Sequence, residues 1–248
     1  MSNDPNPFDP SIETLPASLP IFPLAGVLLL PGGQLPLNIF EPRYLEMVTD
    51  ALAEQRMIGM VQPALDEDET TGFEVETASE GAPVPATSDY TTLDAGQAPV
   101  YRTGCAGRIV QFSETEDGRF LITLRGVVRF RVRRELPQAR AYRRVLPQFD
   151  PFATDLEAAK AYFDRQRLLD ALTYYFDQQG IEADWNAIRE ASNERLVTSL
   201  AMVCPFSAAE KQALLEAPTP SDRAETMTTI LEMAVLGSQA AGPAAARH

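Results

Sequence analysis

The chain has 248 residues, 45% of them hydrophobic, and carries a formal net charge of −14 at neutral pH. This length and apolar content predict a globular protein with a hydrophobic core and exclude a chain that is disordered throughout. The excess of acidic residues disfavours partners such as nucleic acids, whose phosphates carry the same sign of charge.

No part of the sequence predicts a membrane span or an export signal. The most apolar stretch, residues 19–44, is interrupted by prolines and glycines, so no run of apolar residues reaches the roughly 18 that a membrane helix needs. Residues 1–15 lack both the basic and the apolar region of a secretory signal. We therefore expect a cytoplasmic protein that does not bind membranes and whose residues 1–17 are disordered.

The first part of the chain predicts short β-strands and one helix. The prolines that lie beside β-forming residues in residues 19–44 are typical of a barrel rim, because strands tolerate proline only at edges, first positions and bulges. Apolar residues at helical spacing after Pro42 predict a helix over residues 44–55. The predicted strands up to the middle of the chain are 21–24, 27–30, 35–40 and 57–61.

One segment carries most of the negative charge. Between Ala64 and Gln97 the sequence has nine acidic residues, no basic residue and few large apolar side chains. This composition predicts a mobile, solvated loop over residues 64–97. A calcium site is disfavoured, because the "DEDE" run lacks the glycine and the terminal glutamate of a calcium-binding loop.

A β-hairpin and an arginine-rich strand follow the acidic segment. Asp117 and Gly118 separate two β-forming runs, and this dipeptide is a strong signal for a hairpin turn. Further along, Arg129, Arg131 and Arg133 alternate with apolar residues, which predicts that all three arginines point outward. The strands predicted in this region are 105–114, 119–124, one from residue 127 onward, and 141–148.

Residues 151–236 predict a helical part. Ser207 and Glu210 form a capping-box pattern, and Pro220 stands at the first position of a last helix. The predicted helical segments are 156–180, 184–203, 207–216 and 219–236. We expect residues 237–248 to be a disordered tail.

Four stretches of the chain resemble the Lon peptidase N-terminal (substrate-binding) domain family, in the order in which that family has them. They are "IFPLAGVLLLPGGQLPLNIFEPRY" (21–44), "GCAGRIV" (104–110), "GRFLITLRGVVRFRV" (118–132) and "SLAMVCPFSAAEKQALLEAP" (199–218). The resemblance includes the stand-alone bacterial form of this domain, without the ATPase and peptidase domains. It implies an α+β fold, in which a PUA-like β pseudo-barrel over residues 18–150 is followed by a C-terminal helical bundle over residues 151–236.

The sequence lacks the motifs of the chemistry that Lon proteases perform. The only lysines, Lys160 and Lys211, do not stand in the Gly-Lys-Ser/Thr pattern that a phosphate-binding loop requires, and no Ser-Lys dyad is indicated. The one histidine, His248, lies in the predicted tail, and Cys105 and Cys204 are expected to be buried, reduced thiols. We therefore expect no enzymatic activity, no cofactor and no bound metal.

Two functions from different classes remain. The resemblance implies a non-catalytic module that binds unfolded or degron-bearing proteins and that could serve as an adaptor for them. Nine arginines between Arg119 and Arg144 suggest RNA or nucleoprotein binding as the alternative. The arginines are not interleaved with exposed aromatic residues, so nucleic acid is the less favoured partner. The candidate partner-binding residues are Arg43, Tyr44, Arg125, Arg129, Arg131 and Arg133.

Overall fold

The computed structural model of the protein describes residues 11–64, 90–91, 98–137, 139–157 and 160–240. Most of the predicted acidic loop, 64–97, lies outside the described residues. So do residues 1–10 of the predicted N-terminal segment and residues 241–248 of the predicted tail.

The strands of the described residues form a six-stranded mixed sheet and a separate pair. The order in the large sheet is β2-β7-β6-β3-β1-β8, and β1 and β3 are parallel while the other neighbours are antiparallel. A further pairing between β7 and β8 closes five of these strands into a ring, and β2 stays outside the ring. The strands are β1 (Leu19–Pro23), β2 (Gln34–Ile39), β3 (Met57–Val61), β4 (Tyr90–Thr91), β5 (Val100–Tyr101), β6 (Thr103–Glu114), β7 (Phe120–Glu135) and β8 (Arg144–Gln148).

The inside of the ring is filled by a cluster of apolar side chains around Phe130. This ring is fully buried and makes an edge-to-face contact with Phe149, with 6.3 Å between the ring centroids. The tip of Phe130 lies over Gly59 of β3 and Gly104 of β6, where a Cβ atom would come within 2.8 and 2.7 Å of Phe130 Cζ. Glycine at these two positions therefore makes room for the large aromatic side chain.

The predicted hairpin is confirmed, but the predicted strand over residues 27–30 is wrong. Strands β6 and β7 pair antiparallel on either side of a turn, in which Gly118 has a φ of 77°. Residues 28–30 are buried but do not form a strand, and the backbone of Leu30 instead crosses β7 closely at Gly126. A Cβ atom on Gly126 would overlap the carbonyl oxygen of Leu30, so only glycine permits this crossing.

The predicted starts of the last two helices are confirmed, whereas the predicted lengths of several helices are wrong. The predicted capping box of Ser207 and Glu210 is present, and the last helix begins at Pro220 as expected but continues past residue 236. The predicted long helix over 156–180 is instead a 3-10 helix, Asp150–Leu156, followed by a shorter helix, and the predicted helix 184–203 is interrupted at residues 191–192. The helices are α1 (Pro42–Ala53), α2 (Arg165–Gln179), α3 (Trp185–Glu190), α4 (Asn193–Val203), α5 (Ala208–Glu216) and α6 (Pro220–Ala240).

A second and larger apolar cluster joins the sheet to the helices. It combines side chains of the β-rich part, such as Leu29 and Leu124, with helical side chains such as Leu172 and Leu231. The β-rich and helical parts therefore share one core. Cys204 belongs to this cluster, and burial raises the pKa of its thiol to about 12, so the thiol stays protonated at neutral pH. None of the described helices combines the length and hydropathy that crossing a membrane requires.

Candidate functional site

The face that β2, β7 and the end of β6 turn away from the core contains an open groove of about 560 Å³, which we call the outer groove. Its strands are in register, so that Asn38 of β2 and Ser113 of β6 lie opposite Leu121 of β7. The groove is lined by Pro36, Leu37, Asn38, Gln111, Phe112, Ser113, Leu121, Ile122 and Thr123.

Leu121 is an apolar side chain on this outward face that the core does not use, and it is 46% exposed. Phe112 is 44% exposed, but it lies opposite the buried Ile122 in the pairing of β6 with β7, so its side chain projects from the other, core-side face. The Phe112 ring contacts Phe120, with 5.0 Å between the ring centroids, so this contact holds it against the end of the hairpin. Val110 is also exposed, and it lies at an irregularity in the pairing of β6 with β7. The sequence does not identify these residues, because a hydrophobic residue in a strand is normally assigned to a core.

Strand β2 borders the outer groove and has an open edge. Among the described residues it pairs only with β7. The Gly126 N–H donates to the Gly33 carbonyl oxygen at 2.9 Å, so the peptide groups of Gly33 face β7. In an antiparallel ladder every second residue of a strand hydrogen-bonds with the same partner strand, so Leu35 and Leu37 also face β7. The peptide groups of Gln34, Pro36 and Asn38 are therefore directed to the open edge. Pro36 has no N–H, and it occupies a position where no ladder hydrogen bond is lost.

The outer groove has a positively charged end. Arg125 follows Leu121 and Thr123 at alternate positions of β7, so its exposed side chain lies on the same face as theirs. Arg108 of β6 is its neighbour across the strands. Of the six predicted binding residues, Arg125 is thus the one that the structure places beside the outer groove.

Arg129 does not point to solvent, and this prediction is wrong. Its side chain is 2% exposed. Arg129 does lie on the opposite face of β7 from Val128 and Phe130, as the alternation predicts. On that face, however, the 3-10 helix and the turn after α5 cover its side chain. Arg129 Nε and Nη2 donate to the two carboxylate oxygens of Asp155 at 2.9 and 2.8 Å, and the guanidinium also donates to the carbonyl oxygens of Leu215, Ala217 and Pro218.

Tyr44 is also buried, and it serves the core. Its ring contacts Phe22, with 4.2 Å between the centroids, and burial is the main reason that the pKa of its hydroxyl is raised. Arg43 lies over the Tyr44 ring at 4.6 Å and pairs with Glu41 at 2.7 Å. Arg43 therefore interacts with its sequence neighbours at the start of α1.

Arg131 and Arg133 are exposed, but they lie far along β7 from the outer groove. At a rise of about 3.3 Å per residue, Arg131 is roughly 20 Å from Arg125. Most of the other arginines of this region are paired with acidic residues: Arg119 with Asp117, Arg140 with Glu46 and Asp50, Arg143 with Glu135, and Arg144 with Glu54. The region thus does not form one continuous basic surface.

The part of the chain that the structure describes has no group of three or more His, Cys, Asp or Glu residues that could hold a metal ion. The outer groove itself presents strand edges, apolar side chains, amides and hydroxyl groups. Such groups are suited to binding a ligand by contact and hydrogen bonding.

A family model described as the ATP-dependent protease La (LON) substrate-binding domain matches residues 18–233. The chain belongs to this family of substrate-binding domains. Among curated proteins, the Lon protease of Anaeromyxobacter dehalogenans is 28% identical over 120 residues, which are 48% of this chain and 11% of that protease. The Lon protease 2 of Myxococcus xanthus is also 28% identical over 120 residues, 48% of this chain and 12% of its own length. The match therefore spans only a small part of these relatives.

Solved structures show the same fold. A Lon N-terminal domain protein from Xanthomonas campestris superposes with a TM-score of 0.52 at 22% identity, covering 86% of this chain and 97% of that one. The N-terminal domain of a Mycobacterium avium complex Lon protease has a TM-score of 0.50 at 13% identity, covering 87% and 98%. The predicted α+β fold, with a mixed sheet and several helices, is thereby confirmed.

Proposed function

We propose that the protein is a non-catalytic module that binds unfolded or degron-bearing segments of other proteins in the outer groove. The observation that carries this proposal is the edge of β2 that no strand of the described residues pairs with, beside the exposed apolar side chain of Leu121. An extended polypeptide can add its backbone to such an edge, and alternate side chains then reach the neighbouring surface. Segments in folded proteins do not offer a free backbone, so this geometry favours unfolded clients.

The groove also explains how the protein could avoid pairing with itself. Gln34 and Asn38 offer N–H and carbonyl groups at the edge of β2, whereas Pro36 between them offers only a carbonyl. A proline at an edge limits uncontrolled strand pairing. A flexible client can adjust around this gap more easily than a second rigid sheet can.

The family supports a role in recognition of protein substrates, and the match to Lon proteases covers their substrate-binding part only. We infer that the five-stranded ring is the PUA-like pseudo-barrel and that α2 to α6 form the helical bundle. An adaptor role, in which the module passes bound clients to another protein, follows from the same inference. No observation favours the RNA alternative, because the arginines on which it depends are paired, buried or dispersed.

The substitution Leu121→Glu tests the groove. It places a charge on the apolar surface without disturbing the core, so the dissociation constant for a fluorescein-labelled, reduced and alkylated polypeptide should rise about tenfold or more. Fluorescence anisotropy measures this change, and circular dichroism verifies that the variant is folded.

The matched control is Met233→Glu on α6. Met233 is exposed and lies outside the groove, and its replacement changes the net charge by the same amount. Equal weakening by both substitutions would attribute the effect to general charge and would refute the groove as the binding site. No loss of affinity in Leu121→Glu would refute it as well.

A further inference from the structure

A second cavity, of about 400 Å³, lies where the 3-10 helix, α4 and the turn between α5 and α6 meet. We call it the Arg223 cavity, because the side chain of Arg223 forms part of its wall. The other residues that matter to its chemistry are Asp155, Glu157, Lys160, Glu194 and Thr198. None of these residues lines the outer groove.

Arg223 is buried, but most of its hydrogen-bonding capacity is not used. The residue is 4% exposed, and its Nε donates to the Leu214 carbonyl oxygen at 2.7 Å. Its two terminal nitrogens have no hydrogen-bond partner within the described part of the chain, and they are not among the atoms that are sealed from solvent. They are therefore accessible from the cavity. A buried guanidinium with unsatisfied N–H groups is costly, and a ligand that accepts hydrogen bonds relieves this cost.

The charge of Arg223 is also incompletely neutralised. Burial and, next in importance, the neighbouring positive charge of Arg129 together lower the pKa of its guanidinium to about 10, while Asp155 acts in the opposite direction. Both carboxylate oxygens of Asp155 accept hydrogen bonds from Arg129, and within the described part of the chain none joins Asp155 to Arg223. The site therefore combines unused donors with an excess of positive charge at its inner end.

The two terminal nitrogens of an arginine match the two oxygens of a carboxylate or phosphate group. The cavity is lined by three carboxylates, Asp155, Glu157 and Glu194, and two cations, Lys160 and Arg223, so its lining carries a net charge of −1, which disfavours the more highly charged anion. Glu194 accepts a hydrogen bond from the Ala161 N–H, which lowers the pKa of its carboxyl and keeps it charged, and Glu157 is exposed at the opening. A phosphate group carries close to two negative charges at neutral pH and is repelled more strongly by these residues than a singly charged carboxylate.

We propose that the Arg223 cavity binds the C-terminal carboxylate of a polypeptide. The carboxylate would accept hydrogen bonds from the terminal nitrogens of Arg223. The cavity volume is within the range of small-ligand sites, and it leaves space for the last side chain of the polypeptide as well. That the carboxylate belongs to a polypeptide and not to a small acid rests on the proposed function.

The test compares two fluorescein-labelled peptides of the same neutral ten-residue sequence, one with a free C-terminal carboxylate and one with a C-terminal amide. Fluorescence anisotropy with the wild-type chain should show at least tenfold tighter binding of the free acid. Acetate at millimolar concentration should not displace the peptide, because it lacks the side chain that fills the cavity. Displacement by acetate would show that the site takes small acids and would overturn the polypeptide assignment.

Two variants test whether the preference for the free-acid peptide arises in the Arg223 cavity. Arg223→Lys keeps the charge but loses the paired nitrogens, and Thr198→Tyr fills the cavity from α4 while leaving Arg223 unchanged. In each folded variant the ratio of the two affinities should fall below threefold. A ratio that stays at the wild-type value in Thr198→Tyr would overturn the proposal even if Arg223→Lys failed to fold.

The outcome also separates this inference from the proposed function. Equal affinity of both peptides, weakened by Leu121→Glu, would overturn the carboxylate site and leave the outer groove supported. A preference for the free acid that does not depend on Leu121 would support the Arg223 cavity and count against the groove. Binding of neither peptide would overturn both.

Discussion

Replacing Arg129 by alanine is expected to lower the free energy of unfolding by about 3–5 kcal/mol, because one partner of a buried ion pair is removed. The substitution leaves the Asp155 carboxylate, which is 9% exposed, without its two side-chain hydrogen bonds. It also removes the donors from the carbonyl oxygens of Leu215, Ala217 and Pro218. Arg129 thus connects β7, the 3-10 helix and the turn after α5, and urea denaturation measures what this connection contributes.

The control is Arg131→Ala, two residues along the same strand. Arg131 is exposed, so its replacement should change the stability by no more than about 0.5 kcal/mol. The double variant Arg129→Ala, Asp155→Ala should lose less stability than the sum of the single variants, because it leaves no unpaired carboxylate. Similar stability of Arg129→Ala and Arg131→Ala would contradict the buried pair.

Replacing Phe130 by alanine is expected to destabilise the protein by about 3–5 kcal/mol, because a fully buried aromatic ring is lost from the centre of the strand ring. Gly59 and Gly104 already stand on either side of Phe130 without side chains of their own, so neither can fill the resulting cavity. Thermal or urea unfolding, monitored by circular dichroism, measures the loss.

Leu121→Ala is the matched control on the same strand. Leu121 is partly exposed in the outer groove and does not belong to either buried cluster, so we expect a loss of less than about 1 kcal/mol. A loss for Phe130→Ala as small as that for Leu121→Ala would show that β7 and β8 do not close the ring around this side chain.

Local features of the structure were predictable from short sequence patterns. The turn at Gly118, the capping box of Ser207 and Glu210, and the helix start at Pro220 each depend on residues within three or four positions of one another. Their physical causes, a positive φ angle and unsatisfied N–H groups at a helix start, are contained in the segment itself.

Features that depend on distant parts of the chain were not predictable. The alternation in β7 indicates which face Arg129 occupies, but not that Asp155 and the turn after α5 cover this face. The run over residues 27–30 has the composition of a strand, but Leu30 crosses β7 closely at Gly126, a residue 96 positions further along the chain. Likewise, Leu121 resembles a core residue, but it shares the outward face of the sheet with its pairing partners Asn38 and Ser113.

Amide hydrogen exchange followed by NMR, with and without a saturating unfolded polypeptide, tests client binding at the β2 edge most directly. The N–H groups of Gln34 and Asn38 are directed to the open edge, so a bound strand should slow their exchange. The N–H groups of Leu35 and Leu37 face β7 and are protected in either case, so they serve as internal controls. Slower exchange at Gln34 and Asn38 is the result we predict, and protection confined to residues outside β2, β6 and β7 would contradict the outer groove as the client-binding site.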